Sequence, residues 1–120
     1  YVVFCSVHGA YGRADASRRG IIRLHKILHT LFNDCKSNLK LLEYGWCGVP
    51  VVCSDVLPYQ GDLPVTRVKN RHKNWRDAIL ERVNDLEASR QEGLALQQRV
   101  ASDWMLTGDN LQNWYKAWTD

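Results

Sequence analysis

The sequence predicts an α/β domain with parallel strands, half of a doubly wound sheet followed by a helical tail, and three observations carry that prediction. Short continuous apolar runs, at Tyr1–Val7 and Val49–Cys53, have the length and the β-branched content of strands buried on both faces. Between them lie segments with apolar residues at helical spacing. After Trp75 the apolar pattern is helical throughout. The resulting order of helix, strand, loop, strand and helices is that of alternating α/β units.

Taken in order, Tyr1–Val7 is a strand broken by the glycines at 9 and 12. Ile21, Leu24, His25 and Leu28 recur at helical spacing, which predicts a helix over Ser17–Leu31 with Ser17 as its N-cap. Asn33–Asn38 is polar and rich in capping residues. A helix then runs to about Trp46, with Leu39, Leu42 and Trp46 on one face, and Gly48 ends it ahead of Pro50. Val49–Cys53 is a buried strand, Ser54–Gly61 a loop and Val65–Val68 a short strand. The tail carries three stripes: Trp75, Ile79, Val83 and Leu86; then Leu96, Val100 and Trp104; then Leu111, Trp114, Tyr115 and Trp118. Asp109 or Thr107 would cap the last helix, whose aromatic stripe is expected to pack on the domain, with a lipid-interface role as the second reading.

The 120 residues make one domain, 1–120, large enough to bury roughly two thirds of its unfolded surface. No run reaches the length of a membrane span, and the first thirty residues lack the pattern of a signal peptide. Starting at Tyr1, the chain reads as a piece of a larger protein. Sixteen Lys and Arg against thirteen Asp and Glu give a net charge of +3, too mild to point to nucleic acid. The excess gathers in Arg13, Arg18, Arg19, Arg23, Lys26, Lys36 and Lys40, facing only Asp15 and Asp34. That segment is either a solvated face or a surface for phosphates or anionic lipid.

Four cysteines, Cys5, Cys35, Cys47 and Cys53, form no Cys-x-x-Cys pair and match no zinc spacing. Cys5, Cys47 and Cys53 read as small core residues and Cys35 as a partly buried thiol, in a reducing, cytoplasmic setting. His25 and His29 are four apart, a spacing that can hold a metal, but no third ligand accompanies them, and no metal is predicted.

The informative stretch is Leu31–Tyr59. A helix N-terminus presents unpaired N–H groups and the positive end of a dipole, a ready anion site that Lys36 and Lys40 flank. Glu43 lies in a helix that otherwise reads as buried. A carboxylate near a phosphate site suits hydroxyl recognition, since it accepts from two vicinal OH groups. The alternative is an ordinary helix carboxylate paired with Lys40.

The segment Lys36–Asp55, KSNLKLLEYGWCGVPVVCSD, strongly resembles retaining glycosyltransferases of the GT-B fold, of the group 1 type. Those enzymes have a helical glutamate, a small-residue turn, Gly-x-Pro and a buried strand, here Glu43, Cys47, Gly48, Pro50 and Val51–Ser54. The match is specific over about twenty-five residues, looser from Asn33 to Asp120 and poor over residues 1–30. The resemblance implies a Rossmann-like fold, the later portion of a C-terminal donor-binding domain. It implies a donor diphosphate held by the amides of Ser37, Asn38 and Leu39, assisted by Lys36, and donor ribose hydroxyls held by Glu43. Gly48 and Pro50 have structural roles in the turn.

The implied reaction is transfer of a sugar, with retention, from a nucleotide diphosphate sugar to a glycan or lipid-linked acceptor, without cofactor or metal. Its implied setting is the cytoplasm, with peripheral contact at the inner face of a membrane. An N-terminal domain outside this chain would supply much of the acceptor site, so the chain alone is expected to be inactive. No catalytic residue is assigned. Three departures stand out: Cys35 occupies the place of a second family glutamate, Lys40 the place of a frequent proline, and His25–Thr30 lacks the Asp and the Pro of the strand that the family has just before Asn33. A nucleotide-sugar epimerase of the same fold, a non-catalytic nucleotide-binding or interaction module, and a nucleic-acid or anionic-surface binder built on the basic segment are the alternatives.

Overall fold

The computed structural model describes residues 2–5, 21–26 and 30–119. Four strands, β1 (Val2–Cys5), β2 (Ile21–His25), β3 (Val51–Ser54) and β4 (Thr66–Val68), form a sheet in the order β1-β2-β3-β4, with every neighbouring pair parallel. Helices α1 (Leu31–Asp34) and α2 (Leu39–Trp46) lie between β2 and β3, and α3 (His72–Asn84), α4 (Leu86–Asp103) and α5 (Gly108–Thr119) follow β4. The architecture is thus α/β with parallel strands and a helical C-terminal tail.

The helix expected over Ser17–Leu31 is replaced at Ile21–His25 by β2, while 17–20 and 27–29 lie outside the described residues. Over so few residues, apolar spacing fits either structure, and the tertiary partners decide. Arg23 pairs with Val51 and Leu24 with Val52 in the ladder. Ile22 and Leu24 point into the core, whereas Arg23 between them sits 5.5 Å from the centre of the Tyr44 ring, the two-residue alternation of a strand. Helix α1 falls at the start of the expected polar loop. Its N-cap is Thr30, whose side chain accepts from the Asn33 amide at 3.2 Å.

Strand β3 is buried along its whole length, as its unbroken apolar run predicts. Val51 and Cys53 face one core with Leu41, Val56, Tyr59, Leu63, Leu96 and Val100. Val52 faces the other with Ile22, Leu24, Val68, Trp75 and Ala78. Helices α2 and α4 therefore cover one side of the sheet and α3 the other. The connection from β3 to β4 has no α-helix, only a 3-10 turn at Leu57–Tyr59. The Arg67 guanidinium holds it, donating to the carbonyls of Tyr59 (2.5 Å), Gly61 (3.0 Å) and Leu63 (3.2 Å).

The buried stripe of α2 is Leu41 and Gly45, one turn apart, not the expected Leu39, Leu42 and Trp46. Leu39 and Trp46 are about half exposed. A glycine carries no apolar signal, so a face built by close helix approach is invisible to hydrophobic spacing. A Cβ on Gly45 would sit 2.8 Å from both Leu96 Cγ and Val100 Cγ2, so the side chains of α4 fill the space that the missing side chain leaves on α2.

Helix α2 ends as predicted at Gly48, which adopts φ 68°. The Gly48 amide donates to Gly45 O at 2.8 Å and the Val49 amide to Tyr44 O at 3.3 Å, the paired bonds of a Schellman turn. Cys47, expected in the core, is exposed because it occupies the C-cap of this turn. Cys35, expected to be partly buried, is exposed at the end of α1. Cys53 is buried, and the side chain of Cys5 lies outside the description.

In the tail, Trp75, Ala78, Ser89, Leu96 and Val100 are buried, and Ile79 and Val83 pack against the core that holds Trp75 and Ala78. Leu86 leaves the first stripe because Asp85 ends α3 and caps α4, its side chain accepting from the Ala88 amide at 2.9 Å. Trp104 is half exposed as the C-cap of α4. The packing expected of Leu111, Trp114, Tyr115 and Trp118 is absent. All four are exposed, α5 has no buried residue, and the Trp114 and Trp118 rings lie 6.1 Å apart between centroids. Thr107 directly precedes α5 and Asp109 lies in its first turn.

Candidate functional site

A helix joining two parallel strands runs back against them, so α2 begins at the carboxyl edge of the sheet. In open α/β sheets that edge is where ligands bind. Asn38, at the N-cap, makes no side-chain cap bond. Ser37 does this work instead, its Oγ accepting from the Leu39 amide at 3.4 Å. The Asn38 carbonyl accepts from the Leu41 and Leu42 amides, closing the first turn. The amides of Ser37 and Asn38 have no acceptor among the described residues, and Ser37 and Leu39 are exposed. The start of α2 is therefore accessible, carries the positive end of the dipole and has free donors.

Lys36 places its ammonium 4.9 Å above the Phe32 ring. This cation–π contact positions one charge beside the helix start. Lys40 donates to Glu43 Oε2 at 2.8 Å, with both side chains partly exposed. Such a pair adds little stability, a few tenths of a kcal/mol on the order expected for helix neighbours. Glu43 Oε1 has no partner among the described residues. Glu43 stands on a half-exposed side of α2, five residues and about 7.5 Å of helix rise from Asn38. Lys36 and Ser37 thus precede α2, Asn38 is its N-cap, Leu39 and Glu43 lie on it, and Gly48 and Pro50 follow its far end.

Of the basic segment between Arg13 and Lys40, residues 13, 18 and 19 lie outside the description, while Arg23 and Lys36 stand by rings and Lys40 pairs with Glu43. His29 and the side chain of His25 also lie outside it, and the described residues hold no cluster of metal-ligating side chains. An open concavity of about 630 Å³ is lined by Asp62, Pro64, Ala95, Gln98, Arg99 and Ser102. It shares no residue with Lys36–Glu43.

Two features of the same sheet edge escaped the sequence reading. Ser54, fully buried at the end of β3, donates to Asn70 Oδ1 at 2.8 Å, and Trp75 Nε1 donates to the same oxygen at 3.2 Å. This network ties the loop after β4 to the carboxyl end of β3. A serine closing an apolar strand run was its one sequence signal. The second feature is the run KNRHK at 69–73, which is fully exposed and begins α3.

Burial holds the Cys53 thiol at about 12 from its ordinary 9.0, against a lowering effect of Arg67, so it stays protonated and unreactive. Burial likewise pushes the Tyr59 phenol up to about 12. The reactive groups accessible at this site are therefore the amides, Lys36, Lys40, Glu43 and the exposed Cys35 thiol. Comparison of the chain with protein-family models, curated proteins and solved structures finds no match.

Proposed function

We propose that this chain is part of the Rossmann-like, donor-binding domain of a GT-B glycosyltransferase, and that it grips a nucleotide diphosphate sugar. One observation carries the reading. An accessible helix start at the carboxyl edge of a parallel sheet is followed, on the same helix, by a half-exposed carboxylate. The amides of Ser37 and Asn38 and, on release from Ser37 Oγ, that of Leu39 receive the diphosphate with Lys36. Glu43 turns its free oxygen to the ribose hydroxyls, and Lys40 holds the other. The Gly48–Pro50 turn anchors the helix to β3, setting its height above the edge. Sugar transfer to a glycan or lipid-linked acceptor is assigned to the whole enzyme, with the acceptor side on a domain outside this chain.

The test is a titration of UDP and GDP into isotope-labelled protein, followed by amide NMR. Shifts at Ser37–Leu39 that weaken in Glu43→Ala support the reading and identify the base. A folded sample with no shift there at millimolar nucleotide refutes donor binding by this chain. The second reading, a non-catalytic nucleotide-binding module, is favoured by one observation: Cys35 is exposed where the family resemblance places a glutamate. Nucleotide binding without sugar transfer by the complete enzyme would select it. Turnover of a nucleotide sugar without acceptor would instead select an epimerase.

A further inference from the structure

Beyond donor binding, the loop after β4 and the first turns of α3 form a second charged surface. Lys69, Arg71, His72, Lys73 and Arg76 fall within eight residues and are all exposed. None of them is in an ion pair among the described residues, whereas Lys40, Arg82, Arg90 and Arg99 each have a carboxylate within 4 Å. The carboxylates nearest in sequence or fold are Asp77 on α3 and Asp55, whose Oδ1 accepts from Gln60. Helix α3 has no acidic residue in its first turn and no side-chain cap. Like charge is thus gathered at the positive end of a helix, where acidic residues are the stabilising choice. Local rules broken without internal compensation mark surfaces kept for an outside partner.

The form of the surface selects that partner. All five side chains stand exposed on the surface, so they do not enclose a discrete phosphate. The aromatic residue in the run, Trp75, is buried with its Nε1 bonded to Asn70, so no ring is offered for stacking on bases. What remains is an open field of point charges, suited to a diffuse anionic plane.

We propose that Lys69, Arg71, His72, Lys73 and Arg76 dock this chain on an anionic phospholipid bilayer. Because α2 and α3 both begin at the carboxyl edge, docking holds the Lys36–Glu43 helix start close to the lipid headgroups. The inference stands on the charge pattern and does not need nucleotide binding.

The experiment is vesicle co-sedimentation of the complete 120-residue chain. Pure phosphatidylcholine vesicles are compared with vesicles containing roughly a third phosphatidylglycerol, at low and high salt. The expected result is binding to the anionic vesicles alone, released by salt. The triple variant Arg71→Gln, Lys73→Gln, Arg76→Gln should lower partitioning about 100-fold, from about five-fold per cation. A charge-matched control on α4 and α5, Arg90→Gln, Arg99→Gln, Lys116→Gln, should change it far less. Equal binding to neutral vesicles, or an equal loss in the control, overturns the proposal. So does displacement by a mixed-sequence oligonucleotide at lower phosphate concentration than the lipid presents. Unchanged circular dichroism of both variants excludes misfolding as the cause.

Discussion

Replacing Gly93 by alanine tests the helix crossing that sets the position of α2. Gly93 lies inside α4, where alanine is the better helix former by about 1 kcal/mol. Propensity alone therefore predicts that the variant is more stable. The structure predicts the reverse. A Cβ at Gly93 would fall on the carbonyl oxygen of Gly48, 2.9 Å from Pro50 Cδ and 3.0 Å from the Gly48 carbonyl carbon. These neighbours are backbone and a proline ring, and they belong to the left-handed turn that ends α2. They cannot move aside as a flexible side chain would. Overpacking of this kind costs about 1–3 kcal/mol, and the upper end applies where backbone must shift. Subtracting the propensity gain leaves a net loss of about 2 kcal/mol. In urea unfolding followed by far-UV circular dichroism, that loss lowers the midpoint by about 1 M at an unchanged slope. A midpoint equal to or above that of the parent would show that α4 does not lie against the Gly48–Pro50 turn. Gly45→Ala serves as a graded companion. Its Cβ meets only side-chain carbons of Leu96 and Val100, so a smaller loss of about 1 kcal/mol is expected.

Four further outcomes follow from the same structure. Leu41→Ala empties a fully buried position between α2, α4 and β3 and should cost about 2–5 kcal/mol in the same unfolding assay. Trp114→Ala with Trp118→Ala should change the unfolding midpoint by less than the equivalent of about 0.5 kcal/mol, because neither ring is in the core and both are about half exposed or more. At pH 8 in native buffer, mass spectrometry after thiol alkylation should find Cys35 and Cys47 modified quickly and Cys53 only after unfolding, since burial holds its pKa at about 12. Stability should be flat up to about pH 9 and then fall. Cys53 and Tyr59 lose their protons near 9.0 and 10.0 when unfolded but near 12 when folded, so above pH 9 the folded state binds more protons and each rise in pH favours unfolding. Urea midpoints across that range give the slope, at most about 1.4 kcal/mol per pH unit for each retained proton, and a rising midpoint would refute the burial of both groups.

The candidate site was legible in the sequence to the extent that its parts are local. Ser37 beside Asn38, Glu43 inside the following helix, and Gly48 ahead of Pro50 are set by capping, helical spacing and a turn that requires φ above zero, and all occur within fifteen residues. What escaped was non-local. Asn70 receives Ser54 and Trp75 across the end of the sheet, a contact joining residues sixteen apart that no spacing rule announces. Arg82, buried in α3, reaches Thr66 on β4 and Glu92 on α4 (2.9 Å), and an arginine in a helix otherwise reads as exposed.

The order of elements from α2 onward, the doubly buried β3 and the glycine stop of α2 were determined by the sequence alone, because β-branched runs, helical periodicity and left-handed glycine act over a few residues. Only tertiary structure decided that Ile21–His25 is a strand, since pairing with Val2–Cys5 and Val51–Cys53 supplies hydrogen bonds that a five-residue segment cannot choose by itself. It also decided which face of α2 is inside. Leu41 and Gly45 are buried there because α4 brings Gly93 against Gly48 and Leu96 against Gly45, and close approach is governed by the absence of a side chain, which hydrophobicity cannot register.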